Sequence, residues 1–113
     1  MKHLTYAVER LLDTGWTPDQ PIEIDHLPDG RPFPSLLGVQ QEFARHGLEL
    51  RIKQNLIFNC YRATWGPAGE ILSDSTPADE RHGTVIGACQ REAAVYALAQ
   101  LREAAAERQL VGA

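Results

Sequence analysis

The C-terminal third of the chain carries the pattern that most constrains the fold. A β-branched run, Thr84–Ile86, breaks at Gly87 and is followed by the longest helical pattern in the sequence. Apolar side chains recur within it at helical spacing, at Ala94, Leu98, Leu101 and Ala105. Short alanine side chains let another layer approach closely, and a β-sheet is the natural partner for such a stripe. The sequence therefore predicts a strand leading into a C-terminal helix that lies across a sheet.

Length and composition fit one domain covering residues 1–113. Of the 113 residues 43% are hydrophobic, which suffices for one core without disulfides or metal. No apolar run reaches the roughly 18 residues that a membrane-spanning helix needs, and the first residues are amphipathic rather than signal-like. Cys60 and Cys89 form neither a disulfide framework nor a CxxC pair. We therefore expect a cytoplasmic protein with no cofactor and no membrane partner.

Two helices and a short strand are predicted in the N-terminal half. A first helix of about three turns ends at Gly15. Ile22–Asp25 alternates like an edge strand, and Pro28–Gly30 is a turn sequence. Ser35 is a suitable N-cap for the second helix, which Gly47 ends.

The middle of the chain is predicted to be β-structure. Leu48–Lys53 alternates between apolar and charged residues, Gln54-Asn55 is a candidate reversal, and Leu56–Trp65 is apolar enough for a central strand. The predicted fold is α+β, an antiparallel sheet of 3–5 strands with two or three helices on one face, in the order αβαβββα. In this scheme residues 1–33 extend an αβββα core of residues 34–113.

The charge balance argues against polyanionic partners. Eleven Lys and Arg against fifteen Asp and Glu give a formal net charge of −4, the wrong sign for a generic nucleic-acid or membrane binder. A small acidic chain without a catalytic motif is most simply a non-catalytic protein-interaction module or accessory subunit. Its partner is then another protein, and self-association into a homo-oligomer is a second option.

One predicted strand supplies the candidate contact residues. Tyr61 and Trp65 are expected on one side of it with Arg62 nearby, and these residue types are enriched at the energetic centres of interfaces. We predict that they bind the partner through an exposed aromatic surface on an acidic domain. The alternative is that Tyr61 and Trp65 pack in the core beneath the N-terminal helix.

Catalysis and metal binding have little support from residue spacing. The histidines and cysteines are scattered, without the short ligand spacing typical of zinc sites. An enzyme would require the polar loop, with Asp74, Asp79, Glu80 and His82, to converge on Cys89 as a nucleophile. A solvated connecting loop is the simpler interpretation. We therefore expect no catalytic and no metal site, and keep a small enzyme as the third option.

Three segments share a pattern with a known family. Val39–Gly47 is a helical sequence that ends in glycine, Gly66-Pro67 is predicted to begin a loop after a strand, and Cys89–Ala93 is predicted to open the last helix. Together, over roughly residues 34–110, they resemble the double-stranded-RNA-binding domain.

The resemblance implies an αβββα fold and a second candidate function, nucleic-acid binding. It implies that Glu42 contacts the RNA minor groove and that Gln90 and Arg91 lie at the phosphates. That family uses a lysine cluster at the start of its last helix, whereas Gln90 and Ala94 stand at two of the three basic positions here. Arg91 is the remaining cation of this predicted contact set.

Overall fold

Three helices and five strands form from the residues that the computed structural model describes, which are 2–18, 21–70 and 81–112. Their bounds, in chain order, are α1 Lys2–Asp13, β1 Ile24–His26, β2 Pro32–Pro34, α2 Leu36–Arg45, β3 Leu48–Asn55, β4 Cys60–Pro67, β5 Gly83–Gly87 and α3 Gln90–Gly112. The α+β class with antiparallel strands is confirmed. The N-terminal half contains one strand more than the sequence pattern indicated.

The strands β3, β4 and β5 form an antiparallel sheet in that order, with one buried face. Leu50 pairs with Trp65, and Ala63 pairs with both Ile52 and Val85. Because successive residues of a strand point to opposite faces, these side chains share one face, which we call the inner face. Trp65 and Ala63 are fully buried there, and α2 and α3 pack against the sheet.

Helix α3 lies at the centre of the core. It contacts all three strands of the sheet and also packs against α1 and α2. Its buried apolar positions among residues 90–106 are Ala93, Ala94, Val95, Ala97, Leu98, Ala99 and Leu101. The prediction that this helix lies across a sheet is confirmed. The sequence pattern predicted one apolar stripe on this helix. The buried surface of α3 is wider than that stripe because α1 packs against a further side of the helix.

Polar contacts fix the position of α1 along α3. Arg10 Nη2 donates a hydrogen bond to Glu103 Oε1 at 2.6 Å, and the Arg10 guanidinium lies 5.7 Å from the ring centroid of Tyr96. The bond to Glu103 raises the pKa of Arg10, which keeps the pair charged. Thr14 lies four residues after Arg10, just beyond the end of α1, and its Oγ1 accepts a hydrogen bond from Arg102 Nε at 2.8 Å.

A separate two-stranded sheet, β1 and β2, follows α1. The predicted turn at Pro28–Gly30 is confirmed: Gly30 takes a φ of +93°, which glycine adopts without strain, and Leu27 N donates to Arg31 O at 2.9 Å. Phe33 and Leu27 reach into the core. The strand predicted at Ile22–Asp25 is observed at Ile24–His26, and β2 is its partner.

The ends of α2 agree with the sequence. Ser35 Oγ accepts a hydrogen bond from Gly38 N at 3.1 Å, as an N-cap does. Gly47 follows the helix with a φ of +72°, the conformation typical of a helix C-terminus.

The reversal predicted at Gln54-Asn55 is misplaced, because β4 begins four residues later than the predicted strand at Leu56. β3 continues to Asn55 and β4 begins at Cys60, so Leu56–Asn59 is a turn rather than part of a strand. Asn59 takes a φ of +49° there, which Asn tolerates better than most residues. The prediction failed because a short apolar run is typical of a buried strand. The sheet itself forms as expected, and only the residues of the turn change place.

Candidate interaction surface

Trp65, one of the predicted partner-binding residues, belongs to the core. Its side chain is 0% exposed. Its Nε1 donates a hydrogen bond to Gln100 Oε1 at 2.8 Å, and its ring centroid lies 5.7 Å from that of Phe43. Tyr61 is on the same inner face, partly buried and packed against the core. The core alternative is therefore correct, although α2 and α3 cover Trp65 where the N-terminal helix was expected.

Arg62 lies on the opposite side of the sheet from Tyr61 and Trp65. It alternates with them along β4 and pairs directly with Lys53 on β3 and Ile86 on β5. The expectation that Tyr61, Arg62 and Trp65 form one exposed aromatic patch is thus wrong, because the pleat of the strand separates them.

The most exposed apolar group in the described residues is the turn between β3 and β4. We define the hairpin tip as Leu56, Ile57 and Phe58, whose exposed fractions are 81%, 87% and 76%. Single exposed apolar side chains are common on protein surfaces, whereas three consecutive large ones at a protruding turn form a contiguous apolar patch. Such patches mark interaction sites in folded proteins.

The side chain of Asn55 is hydrogen-bonded to the backbone of the hairpin tip. Asn55 Oδ1 accepts hydrogen bonds from Ile57 N at 3.0 Å and from Phe58 N at 3.2 Å, the arrangement by which Asn stabilises turns. Behind the tip, β3 and β4 are paired without interruption from Asn55↔Cys60 to Leu48↔Pro67. The three apolar side chains are therefore presented on an ordered support, which reduces the entropy cost of binding.

The face of the sheet opposite the core is accessible to solvent. We define the outer face by seven of its outward-pointing described residues, which are Glu49, Arg51, Lys53, Arg62, Thr64, Thr84 and Ile86. Ile86 is 56% exposed. Thr64 and Thr84 pair with each other at the centre of this face. Because their side chains are short, the surface is depressed there.

Three cations and one carboxylate lie on this outer face. Lys53 and Arg62 are directly opposite each other on neighbouring strands, a placement in which like charges repel. Arg51 Nε donates to Glu49 Oε1 at 3.3 Å, so the single carboxylate is engaged by the cation furthest from the hairpin tip. Among the described residues that define the outer face, cations outnumber carboxylates three to one, in a chain whose net charge is −4.

The residues predicted to contact RNA lie in two different places. Glu42 is buried and accepts from Arg45 Nη1 at 2.8 Å. It lines a cleft of about 640 Å³ beside Leu98 and Leu101 of α3. Gln90 and Arg91 begin α3, at least about 10 Å away along the helix axis, and Arg91 Nη1 is 3.5 Å from Asp25 Oδ2. The structure does not bring these three residues to one surface, and their contact with RNA stays a prediction.

The groups required for the enzyme option are also separated. His82 Nε2 is 3.0 Å from Glu70 Oε1 before β5 begins, whereas Cys89 follows the end of β5 and accepts from Glu92 N at 3.5 Å. The intervening strand keeps His82 and Cys89 roughly 20 Å apart. The predicted loop acids Asp74, Asp79 and Glu80 lie outside the described residues. Within the described ranges no three His, Cys, Asp or Glu side chains come together as metal ligands.

The sequence analysis did not predict an exposed turn at the hairpin tip, although the sequence contains an indication of it. Its three apolar residues stand between Asn55 and Asn59, and Asn is favoured at turns because it bonds its own backbone and tolerates positive φ. Leu56–Phe58 continue the apolar character of β4, which suggested a strand. The flanking asparagines mark the turn.

Comparison of this chain with protein-family models, curated proteins and solved structures returns no match. Within the described part of the chain, no helix is long and apolar enough to cross a bilayer.

Proposed function

We propose that the protein is a non-catalytic protein-interaction module that binds another protein through its hairpin tip. The observation that supports this proposal is the exposure of three consecutive large apolar side chains on an ordered hairpin. Folded proteins seldom leave such a group in water without a partner for it. We propose a cytoplasmic setting, consistent with the free thiols of Cys60 and Cys89.

The free energy available from burying the hairpin tip is too small for stable binding without further contacts. Full burial of a Leu, Ile or Phe side chain contributes about 1.5–3 kcal/mol each. Association costs about 4–15 kcal/mol in lost translational and rotational freedom. The hairpin tip alone would therefore give weak binding, and a useful affinity requires that the partner also touches the surface next to the tip.

Site-specific photo-crosslinking tests this proposal. A photoreactive phenylalanine analogue replaces Ile57 in one variant and Leu37 in a control, because Leu37 is an exposed apolar residue on α2 away from the hairpin. Both variants are expressed in the source cells and irradiated. We expect a discrete product with a second protein from position 57, which Phe58→Ser removes, and none from position 37.

Two results would contradict the proposal. Equal products from positions 57 and 37 would indicate nonspecific contact. A product of twice the 12.5 kDa chain mass would identify a second copy of the chain as the occupant and replace the proposal with a homo-oligomer.

A further inference from the structure

We infer that the partner protein binds by adding an extended segment, as a further β-strand, to the edge of β3 beside the hairpin tip. This inference rests on the proposed function, because the hairpin tip supplies the apolar contact for one end of that segment. The edge of β3 supplies hydrogen bonds, through backbone groups that point away from the sheet.

Strand β3 lies at one edge of the three-stranded sheet, and β4 is its single strand neighbour among the described residues. It is eight residues long, and its register with β4 is constant from Leu48↔Pro67 to Asn55↔Cys60. The strand contains no proline and its pairing no β-bulge, although both are common ways of protecting an edge. The backbone of β3 is therefore regular enough to accept a further strand.

The pairing with β4 determines which backbone groups of β3 point to the edge. Ala68 N donates a hydrogen bond to Gly47 O at 3.0 Å, and this contact continues the β3–β4 register by one pair. Because bonded and non-bonded pairs alternate in an antiparallel ladder, the odd-numbered residues of β3 bond to β4. Pro67, which has no N–H, stands opposite Leu48 in a non-bonded pair, as this alternation requires. The even-numbered residues of β3 therefore point their N–H and C=O groups away from the sheet.

These outward groups are most accessible at the end of β3 that leads to the hairpin tip. Leu50 is buried, whereas Ile52 is half-buried and Gln54 is exposed. In the described part of the chain, no hydrogen bond reaches the backbone N–H or C=O of Ile52 and Gln54. We define these four backbone groups as the docking edge. An extended backbone is the ligand that matches the docking edge, because a strand presents complementary donors and acceptors at the same spacing.

The opposite edge of the sheet is shorter and is contacted by α3. Strand β5 has five residues, and Gln100 Nε2 of α3 donates to Thr84 O at 3.5 Å. The same Gln100 side chain accepts the indole N–H of Trp65, which holds it in place. A strand added at β5 would have to displace a side chain that takes part in the hydrogen bonding of the core. The edge of β3 requires no such displacement.

The side chains of β3 disfavour a second copy of the chain as the occupant. Two copies paired edge to edge about a two-fold axis bring the same part of β3 together. Pairings centred on residues 51, 52 and 53 place Arg51 opposite Arg51, Arg51 opposite Lys53, and Lys53 opposite Lys53. Like charges directly opposite each other on paired strands are destabilising. A segment of another protein that lacks cations at these positions avoids this repulsion.

The position of the docking edge defines the partner segment. Leu56 of the hairpin tip follows Gln54 by two residues, which corresponds to about 7 Å along an extended chain. A partner side chain that packs on the hairpin tip is therefore about two positions beyond the residue paired with Gln54. The partner segment has about five extended residues and an aromatic or aliphatic side chain near one end.

Peptides displayed on phage test this inference with the intact protein. Random twelve-residue peptides are selected on the wild-type chain, and the most enriched peptide is synthesised with a fluorophore for anisotropy measurements. A series of derivatives carries one N-methyl group, placed at each backbone nitrogen in turn. Because alternate N–H groups of a strand point to opposite edges, only every second methyl group within the bound segment meets β3.

We expect N-methylation at alternate positions of the bound segment to weaken binding at least about tenfold, which is about 1.4 kcal/mol. The intervening methyl groups point away from β3 and should change the affinity less than about twofold. A peptide held by its side chains alone would show no such alternation.

Two proline variants test the protein side of the contact, with circular dichroism to confirm that each is folded. Gln54→Pro removes an outward N–H of β3 and none of its bonds to β4, so it should weaken peptide binding about tenfold. Ile86→Pro is the matched control, because it removes an outward N–H from β5. It should leave peptide binding unchanged.

Amide hydrogen exchange measured by NMR on the wild-type chain needs no variant. In the free protein, the Ile52 and Gln54 amides should exchange faster than those of Arg51 and Lys53, which bond to β4. The selected peptide should then slow exchange at Ile52 and Gln54. Slow exchange there in the free protein would show that the docking edge is already occupied and would overturn the inference.

The other outcomes separate this inference from the proposed function. A peptide that requires Phe58 but shows no alternation in the N-methyl series would overturn strand addition and leave the interaction module standing. A peptide that binds Phe58→Ser as tightly as wild type, or a selection that enriches nothing, would overturn both. Protection of the Ile52 and Gln54 amides that rises with protein concentration, without peptide, would assign the docking edge to a second copy and overturn the inference.

Discussion

Trp65 is the residue at which the sheet and its two covering helices meet. Its indole contacts Phe43 of α2 and donates to Gln100 of α3, while the backbone belongs to the central strand β4. A buried indole N–H needs an acceptor, because an unpaired polar group in the core costs about 1–3 kcal/mol. The amide of Gln100 is therefore part of the core's hydrogen bonding.

Replacing Trp65 with Phe should lower the free energy of unfolding by about 1–3 kcal/mol, since it removes the indole donor and leaves the Gln100 carbonyl unpaired. Urea denaturation followed by circular dichroism measures this change. A double-mutant cycle with Gln100→Met provides the control. We expect the two substitutions to be non-additive, because they act on one hydrogen bond. Additive effects would show that this bond does not stabilise the fold.

Asp29 provides a pH-dependent contact in the β1–β2 turn. Its carboxylate accepts from Arg31 Nε at 2.9 Å and from Arg31 N at 3.0 Å, and the side-chain bond lowers the pKa of Asp29 below its ordinary value of 3.8. With the folded pKa below the unfolded one, the contribution to stability is present above about pH 4 and is lost as the pH falls through the folded pKa. We expect an NMR titration of the Asp29 carboxyl to give a pKa below 3.8. Arg31→Ala should return that pKa toward the ordinary value, and an unchanged pKa would contradict the assignment.

At the scale of elements, small residues determine how closely α3 approaches the sheet. The helix presents a series of alanines to its neighbours. Gly83 on β5 lies against Trp65 and Gln100, and Gly87 lies against the start of α3 at Ala93, so that a Cβ at either glycine would overlap these groups. Strand β5 can therefore lie in close contact with α3 because Gly83 and Gly87 have no side chain.

Gly83→Ala should destabilise the protein by about 1–3 kcal/mol, because the added methyl overlaps the fixed indole of Trp65 in a packed core. Thr84→Ala is the matched control: it alters the next residue of the same strand, on the exposed outer face, and should change stability by less than about 0.5 kcal/mol. Thermal unfolding of the two variants measures the difference. Equal melting temperatures would show that β5 can move away from α3 without cost.

At the scale of the whole molecule, the core and the proposed binding surface are spatially separate. The buried residues form one hydrophobic cluster between the inner face of the sheet and the helices. The hairpin tip extends beyond this cluster, and the outer face lies behind it. Substitutions on the binding surface should therefore change binding without changing stability.

Replacing Leu56, Ile57 and Phe58 together with Ser should leave the melting temperature within about 3 °C of the wild type, because these side chains are already in water in the folded state. Differential scanning calorimetry measures this. Leu48→Ser, at a buried position on β3, is the control and should lower the melting temperature by at least about 8 °C. A comparable loss from the triple variant would mean that the hairpin tip packs against the domain.

Local patterns determined a large part of this fold. The strand-to-helix transition at Gly87, the cap at Ser35, the turn at Pro28–Gly30 and the glycine that ends α2 each depend on a few neighbouring residues. Backbone preference and hydrogen-bonding capacity act over the same short range. These features could therefore be predicted from the sequence alone.

Only the tertiary structure decided which face of β4 is buried and where the hairpin turns. An alternating strand specifies two faces but does not say which one meets the helices, so Trp65 was compatible with either core or surface. Likewise the apolar run Leu56–Phe58 has the same local signature in a buried strand as in an exposed turn. Burial results from the packing of elements far apart in sequence, and for this reason the candidate site emerged only when β3, β4, β5 and α3 were placed together.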